Sequence, residues 1–300
     1  MKNIRTVAEF ADEMRSQLSF APNNGQLEAI DAMGAFTLCS EANSIYLLKG
    51  YAGTGKTSLI SALTRTMDRM GVRTVLMAPT GRAAKVISGY SGKEAFTIHR
   101  KIYKVGESDG HMPGFFLAEN EYKNTLFIVD EASMIGGSTD TTMGSRSLLE
   151  DLFEFVFAGD NCRLMLCGDT AQLRPVGSEL SPALDPEYLN RVFHLHLIVN
   201  ELKEVARQRE DSAILYNATC LRIALAQSGN QFPKLICERD LVNLSGEDFE
   251  DTLQRCLSQY GEENVQIITR SNKRAVLFNQ GFRNRIKLME EDLCAGDRLM

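Results

Sequence analysis

Gly50-Tyr51-Ala52-Gly53-Thr54-Gly55-Lys56-Thr57 fills every fixed position of the phosphate-loop pattern G-x-x-x-x-G-K-[ST]. The apolar run Ser44-Ile45-Tyr46-Leu47-Leu48 before it reads as a buried strand, and Ser58-Leu59-Ile60-Ser61-Ala62-Leu63-Thr64-Arg65 after it reads as the start of a helix. Glycines let the backbone wrap closely around a phosphate, while loop N–H groups and the helix N-terminus point at the anion. Gly53, Thr54, Gly55, Lys56, Thr57 and Ser58 are therefore the expected triphosphate-binding residues. Lys56 is expected to reach the β- and γ-phosphates, and the Thr57 hydroxyl to hold Mg²⁺. A chance glycine-rich turn would not need strand, loop and helix in this order. The chain is read as binding a nucleoside triphosphate.

The 300 residues, 44% hydrophobic and 24% charged, suffice for a packed core and suggest two domains. No apolar run is long enough for a membrane span, and Met1 to Phe20 lacks the apolar block of a secretory signal. Seven cysteines without a C-x-x-C pair read as reduced thiols of a cytoplasmic protein, with Cys167 as packing at a strand end. The net charge of −6 argues against a general polyanion binder, although a local basic groove binds nucleic acid on an acidic protein.

Outward from the loop, Val7 to Phe20 reads as an amphipathic helix, and a second helix carries Gln26 near its start. Arg73 to Ala78 reads as a strand ending in Pro79-Thr80-Gly81-Arg82, followed by helix. Glycines and Pro113 punctuate residues 100–123, a small β-hairpin insertion whose strands are expected around Ile102–Val105 and Phe115–Leu117. Thr125 to Val129 is an apolar strand tipped by Asp130-Glu131. Leu148 to Phe157 reads as a helix, and Cys162 to Cys167 as a strand tipped by Gly168-Asp169. Beyond Leu195 a long helix over residues 212–227 and a strand over Asn264 to Thr269 are expected. Strands alternating with helices imply a parallel sheet covered on both faces, with ligands at the carboxyl ends of the strands.

Two of those ends carry chemistry. Asp130 suits the Mg²⁺ that bridges the phosphates, and Glu131 suits the base that polarises the attacking water. Gln172, in Gly168-Asp169-Thr170-Ala171-Gln172-Leu173-Arg174-Pro175-Val176, stands where an amide contacts the γ-phosphate or that water. Taken alone, these are solvated acids at a strand end and an ordinary loop.

In this order the motifs resemble superfamily-1 DNA helicases of the RecD/Dda type, which move 5′ to 3′ on single-stranded DNA. Gln26 matches the adenine-reading glutamine before the phosphate loop. Ala78-Pro79-Thr80-Gly81-Arg82-Ala83-Ala84-Lys85 and Thr97-Ile98-His99 match DNA-contacting segments, which implies Pro79, Thr80, Arg82, Lys85, Thr97 and His99 as DNA-binding residues. Asp130-Glu131-Ala132-Ser133-Met134 matches the acid motif, and Gly168-Asp169 to Gln172-Leu173 the coupling motif. Arg207-Gln208 matches the motif opening a second domain, which implies Arg207 as an arginine finger worth on the order of 10³–10⁵ in rate. The hairpin would be the family's duplex-splitting insertion; its aromatics Tyr103, Phe115 and Phe116 either stack on bases or form its own small core.

The resemblance implies an α/β P-loop NTPase with a RecA-like parallel sheet flanked by helices. Residues 1–199 would form a first RecA-like domain holding the insertion, and residues 200–300 an incomplete second one. Catalytic residues would be Lys56, Glu131, Gln172 and Arg207, metal ligands Thr57 and Asp130, and cofactors ATP and Mg²⁺. Arg174 stands where the family usually has proline, and the family's later motifs do not follow, so the chain is expected to be the N-terminal portion of a longer helicase. Repair, recombination, replication and conjugative transfer remain open as its setting. The alternatives are a phosphate-loop kinase, for which no arginine-bearing lid is visible, and a non-motor nucleotide switch.

Overall fold

The computed structural model describes residues 2, 4–39, 44–107, 113–136, 146–172, 175, 181–204, 212–226 and 233–289. The chain forms two compact units, Met1–Glu210 and Asp211–Met300.

In the first unit, side-chain caps fix where helices begin. Thr6 opens α1 (Val7–Ser16) and Asn23 opens α2 (Asn24–Leu38), each in a capping box with the glutamate or glutamine three residues on, Glu9 and Gln26. Ser147 and Glu150 do the same for α6 (Leu148–Phe157). The other helices are α3 (Lys56–Met70), α4 (Gly81–Ser91), α5 (Ile98–Ile102) and α7 (Pro186–Phe193).

Strands β1 (Ser44–Gly50), β2 (Arg73–Ala78), β3 (Ala95–Thr97), β6 (Thr125–Val129), β7 (Arg163–Gly168) and β8 (His196–Leu202) form one sheet in the order β3-β2-β6-β7-β1-β8, every pairing parallel. Side chains alternate across each strand, so Tyr46 and Leu48 join α1, α2 and α3 in one core. Ile45 and Leu47 join α5, α6 and α7 in the other. A central sheet buried on both faces explains why β1, β6 and β7 read as unbroken apolar runs. Strand β7 lies between the phosphate-loop strand β1 and the acid-tipped β6, and the arrangement is that of a RecA-like P-loop NTPase. The expected hairpin is present: β4 (Tyr103–Glu107) pairs antiparallel with β5 (Pro113–Leu117).

Strand β8 falls in a stretch to which the sequence reading assigns no element, ahead of the helix expected over residues 212–227. It lies at the sheet edge, half exposed along its length, and so lacks the continuous apolar signature of the central strands. It pairs with β1 from Ser44↔His196 to Gly50↔Leu202, so the expected domain boundary between residues 199 and 200 falls inside a strand of the first unit's sheet. Helix α1 ends at Ser16 rather than running to Phe20.

The second unit contains α8 (Ala213–Ala226), α9 (Phe249–Tyr260) and α10 (Asn272–Gly281). Asp240 accepts from the Ala213 N–H at 2.7 Å and from the Ser212 hydroxyl at 2.5 Å at the start of α8, and these bonds hold its carboxyl below the usual range. The strand expected over Asn264 to Thr269 is not formed. Glu262–Asn264 is a 3-10 turn, and residues 265–269 run without a strand partner among the described residues. Ile268 is 88% exposed. An apolar run becomes a strand only where a neighbouring edge takes its backbone hydrogen bonds.

Candidate nucleotide site

Because the sheet is parallel, the carboxyl ends of its strands share one edge, and that edge gathers most of the expected residues. Strand β1 runs into the phosphate loop, and α3 begins at Lys56. Gly55 caps α3 at φ 91°, a backbone conformation open to glycine, and an added Cβ would stand 2.5 Å from Gln26 Nε2. Lys56 Nζ donates to the carbonyls of Gly50 at 2.7 Å and Tyr51 at 2.9 Å, so the ammonium sits over its own loop. The Thr54 hydroxyl donates to Tyr51 O at 2.8 Å. Thr57 is half-buried in the first turn of α3.

Gln26 is 1% exposed and bonded at both ends of its amide. Its Oε1 accepts from Asn23 N–H at 3.0 Å, and its Nε2 donates to the Thr54 carbonyl at 2.9 Å. The capping residue of α2 is thereby fastened to the phosphate loop.

At the end of β6, Asp130 is nearly buried and accepts from the Glu131 N–H at 2.9 Å. Burial raises its pKa, opposed by that hydrogen bond, by the Lys56 charge and by the Cys167 thiol. Cys167 is fully buried, which pushes its own pKa well up and keeps it a neutral thiol. Glu131 adopts a left-handed backbone, φ 57° and ψ 34°, rare for a non-glycine residue and concentrated at functional sites. Burial raises its pKa first and the Asp130 charge second, while a hydrogen bond from Gln172 lowers it. Gln172 Nε2 lies 3.4 Å from Glu131 Oε1. Lys56, Asp130, Glu131 and Gln172 thus form one electrostatically linked group.

A hydroxyl and a carboxylate are the hard oxygen donors that suit Mg²⁺, and Thr57 and Asp130 supply one of each. No group of three or more His, Cys, Asp or Glu able to hold a metal occurs among the described residues.

The residues expected to touch DNA lie at or just beyond the ends of β2 and β3. Thr80 caps α4, its hydroxyl accepting from Ala83 N–H at 3.2 Å, and Thr97 caps α5, accepting from Arg100 N–H at 3.2 Å. Both hydroxyls therefore also have helix-capping work. Arg82 and Lys85 are exposed on α4, Pro79 and His99 half-buried, and the His99 ring lies 5.9 Å from that of Tyr103. The hairpin aromatics separate into two kinds. Tyr103 donates its hydroxyl to Asp151 on α6 at 2.6 Å and packs against the second core, whereas Phe115 and Phe116 are 51% and 48% exposed. Arg207, with residues 205–211, lies outside the described residues.

Two serines escaped the sequence reading. Ser133 Oγ lies 3.2 Å from Gln172 Oε1, and Ser181 Oγ lies 3.3 Å from the carbonyls of both Ala132 and Ile135. Ser133 was visible only as a letter of the acid motif. Ser181 is brought to the site from 46 to 49 residues away, which no local pattern signals.

Over 140 residues the chain is 34% identical to the ATP-dependent RecD2 DNA helicase of Deinococcus radiodurans, covering 45% of this chain and 17% of that protein. Over 179 residues it is 31% identical to the ATP-dependent DNA helicase dda of Enterobacteria phage T4, covering 58% of this chain and 37% of that protein. The chain thus spans well under half the length of these curated relatives, and both are of the RecD/Dda kind that the motifs resemble. Among solved structures, the Pif1 helicase from Candida albicans is 18% identical with a TM-score of 0.44, covering 87% of this chain and 61% of that one. The Bacteroides Pif1 helicase in complex with ADP-AlF3 and ssDNA is 17% identical with a TM-score of 0.39, covering 79% and 57%. Residues 21–227, from the loop before α2 through the phosphate loop and both acid-bearing strand ends into α8, match the AAA domain family, and the chain belongs to it.

Proposed function

We propose that this chain binds ATP with Mg²⁺ and hydrolyses it as motor machinery of an ATP-dependent DNA helicase, turnover being coupled to movement on single-stranded DNA. The observation that carries the reading is Glu131, held in a left-handed backbone beside Asp130, with the Gln172 amide on its carboxylate and Lys56 within electrostatic reach. Lys56 would leave the Gly50 and Tyr51 carbonyls for the β- and γ-phosphates. Thr57 and Asp130 would hold Mg²⁺, which when bound neutralises charge on the phosphates. Glu131 would accept the proton of the attacking water, its raised pKa bringing it closer to working pH, and Gln172 would hold that water. Gln26 would read adenine from its place against the loop.

Pro79, Thr80, Arg82, Lys85, Thr97 and His99 would form the single-strand track on the same unit. Arg207 would supply the arginine finger, and the second unit would be part of a second RecA-like domain; both roles rest on the resemblance. A cytoplasmic setting is part of this reading, on the seven cysteines that the sequence scatters without a C-x-x-C pair. No helix among the described residues is long and apolar enough to cross a membrane. DNA repair or recombination is the setting we favour, on the motif resemblance alone.

The test is steady-state ATP turnover with and without single-stranded DNA, alongside nucleotide binding. Turnover raised by DNA supports the reading; turnover indifferent to DNA removes the motor from it, and absence of ATP binding overturns it.

A further inference from the structure

The Gln172 amide lies between two groups of unequal chemistry. Its Nε2 lies 3.4 Å from Glu131 Oε1, and its Oε1 lies 3.2 Å from Ser133 Oγ. An ionised carboxylate only accepts hydrogen bonds, so the amide nitrogen faces Glu131. The amide oxygen is then left to the hydroxyl, which must donate. Glu131 therefore fixes which face of the amide is turned toward it, and the Ser133 hydroxyl anchors the opposite end by donating to Oε1.

Ser133 is built to hold this position. It is 3% exposed, while Gln172 is an exposed side chain on a loop. Ser133 sits in the 3-10 turn Ala132–Met134 that follows Glu131, and the turn is pinned from two sides. The Ser181 hydroxyl bonds to the carbonyls that bracket it, Ala132 and Ile135. Gly168, at the end of β7, packs so close that an added Cβ would stand 3.0 Å from Ser133 N and 2.8 Å from Leu184. A buried hydroxyl held by its turn thus meets an exposed amide, and the buried partner sets the geometry.

We propose that Ser133 is a positioning residue for the hydrolytic step, acting through Gln172 by presenting Nε2 to Glu131 and to the water between them. The proposal rests on the ATP-hydrolase reading above. It predicts a loss that appears in kcat, because the ground-state contacts of ATP with the phosphate loop do not pass through Ser133, and that vanishes once Gln172 is gone.

The test measures ATP turnover of the full chain, with single-stranded DNA, for wild type, S133A, S133T, Q172A and the double variant S133A/Q172A, each checked by thermal melt. S133A should lower kcat between about tenfold and about a hundredfold, the scale of a misplaced catalytic group. Its KM should stay within about twofold of wild type, because only a transition-state contact is lost. S133T, which keeps the hydroxyl and lines the same open cavity, should restore most of the rate. The double variant should turn over no more slowly than Q172A alone. If S133A does not fold, S133C replaces it: the thiol is similar in size but a weak donor, and should show the same kcat loss.

Wild-type kcat in S133A, equal losses in the presence and absence of Gln172, or S133T as slow as S133A would each overturn the proposal while leaving the hydrolase reading intact. A wild-type chain that turns over no ATP overturns that reading, and this inference with it.

Discussion

Gln26 and Thr54, 28 residues apart, are joined by a 2.9 Å hydrogen bond from the glutamine amide to the phosphate-loop carbonyl. The bond is buried and makes the N-terminal turn of α2 part of the loop's support. Replacement of Gln26 by alanine removes it and leaves the Thr54 carbonyl without this partner. The loss of a buried hydrogen bond is worth about 1–3 kcal/mol. ATP affinity should fall by roughly 5- to 150-fold on that scale. If Gln26 also reads the base, the preference for ATP over GTP should shrink in the same variant. Titrations of wild type and Q26A with both nucleotides measure the two effects; equal losses for ATP and GTP would leave Gln26 as loop support alone.

Glu131→Gln keeps the shape of the side chain and removes its basicity. Because Lys56, Thr57 and Asp130 are untouched, ATP binding should stay near wild type. Turnover should drop by about 10²–10⁴, the usual contribution of a general base. Equilibrium binding and single-turnover hydrolysis separate the two. A variant that hydrolyses ATP at the wild-type rate would remove Glu131 from the role of base.

Much of this site is legible in the chain because its residues lie at strand ends, and a central parallel strand has an unmistakable apolar signature. Ile45 to Leu48, Leu126 to Val129 and Leu164 to Cys167 are all buried, so the polar residues that follow each run stand out. Strand β8 is not legible in this way: among the described residues one side has no neighbouring strand, and most of its side chains are partly or fully exposed. The run Val265 to Thr269 misleads for the opposite reason, having apolar residues without a partner edge among the described residues. Ser133 and Ser181 are invisible in sequence because their significance is a contact across 39 and 46 to 49 residues.

Tyr103 and the pair Phe115/Phe116 should respond differently to substitution. Tyr103→Phe removes the hydroxyl that donates to nearly buried Asp151 at 2.6 Å, and should cost about 1–3 kcal/mol of stability. Phe115→Ala with Phe116→Ala removes surface that is already half exposed, and should leave the melting temperature nearly unchanged. If the hairpin engages DNA bases, the double variant should instead weaken single-strand affinity by about 1–3 kcal/mol for each lost stack. Thermal melts and a fluorescent-oligonucleotide titration give the two readouts; unchanged DNA affinity would make the exposed pair irrelevant to the strand.

Glu13 ties α1 to the rest of the first unit through ion pairs with Lys2 and with Arg69 on α3. The Lys2 hydrogen bond, then that of Arg69, hold its carboxyl below the ordinary value of 4.5 against the opposing effect of burial. A depressed folded-state pKa gives stability that is present above the unfolded value and is lost as pH falls through the folded one. E13Q should therefore melt at a lower temperature than wild type at neutral pH, and the gap should close in acid as Glu13 itself protonates. Melting curves of both proteins across that range are the check. A gap that stays constant into acid would show that the charge on Glu13 contributes nothing.

Arg163 opens β7, and its guanidinium closes the far end of α2, donating to the carbonyls of Phe36, Thr37 and Cys39. These are carbonyls of the kind a helix leaves unpaired at its last turn, and a cation there also meets the negative end of the helix dipole. Burial lowers the Arg163 pKa, yet guanidinium remains charged in any working pH range. Arg163→Met keeps the apolar stem and removes every donor, at an expected cost of about 2 kcal/mol for charged hydrogen bonds. That is about 4–8 °C in Tm for a unit of this size. Lysine offers a point charge in place of a fork, so R163K should recover only part of the loss. ATP affinity should change little in either variant, because Gln26 is held at the opposite end of α2 by Asn23 and Thr54. Melting temperatures matched with ATP titrations test both halves. An R163M chain as stable as wild type would mean that water caps α2 as well as arginine does.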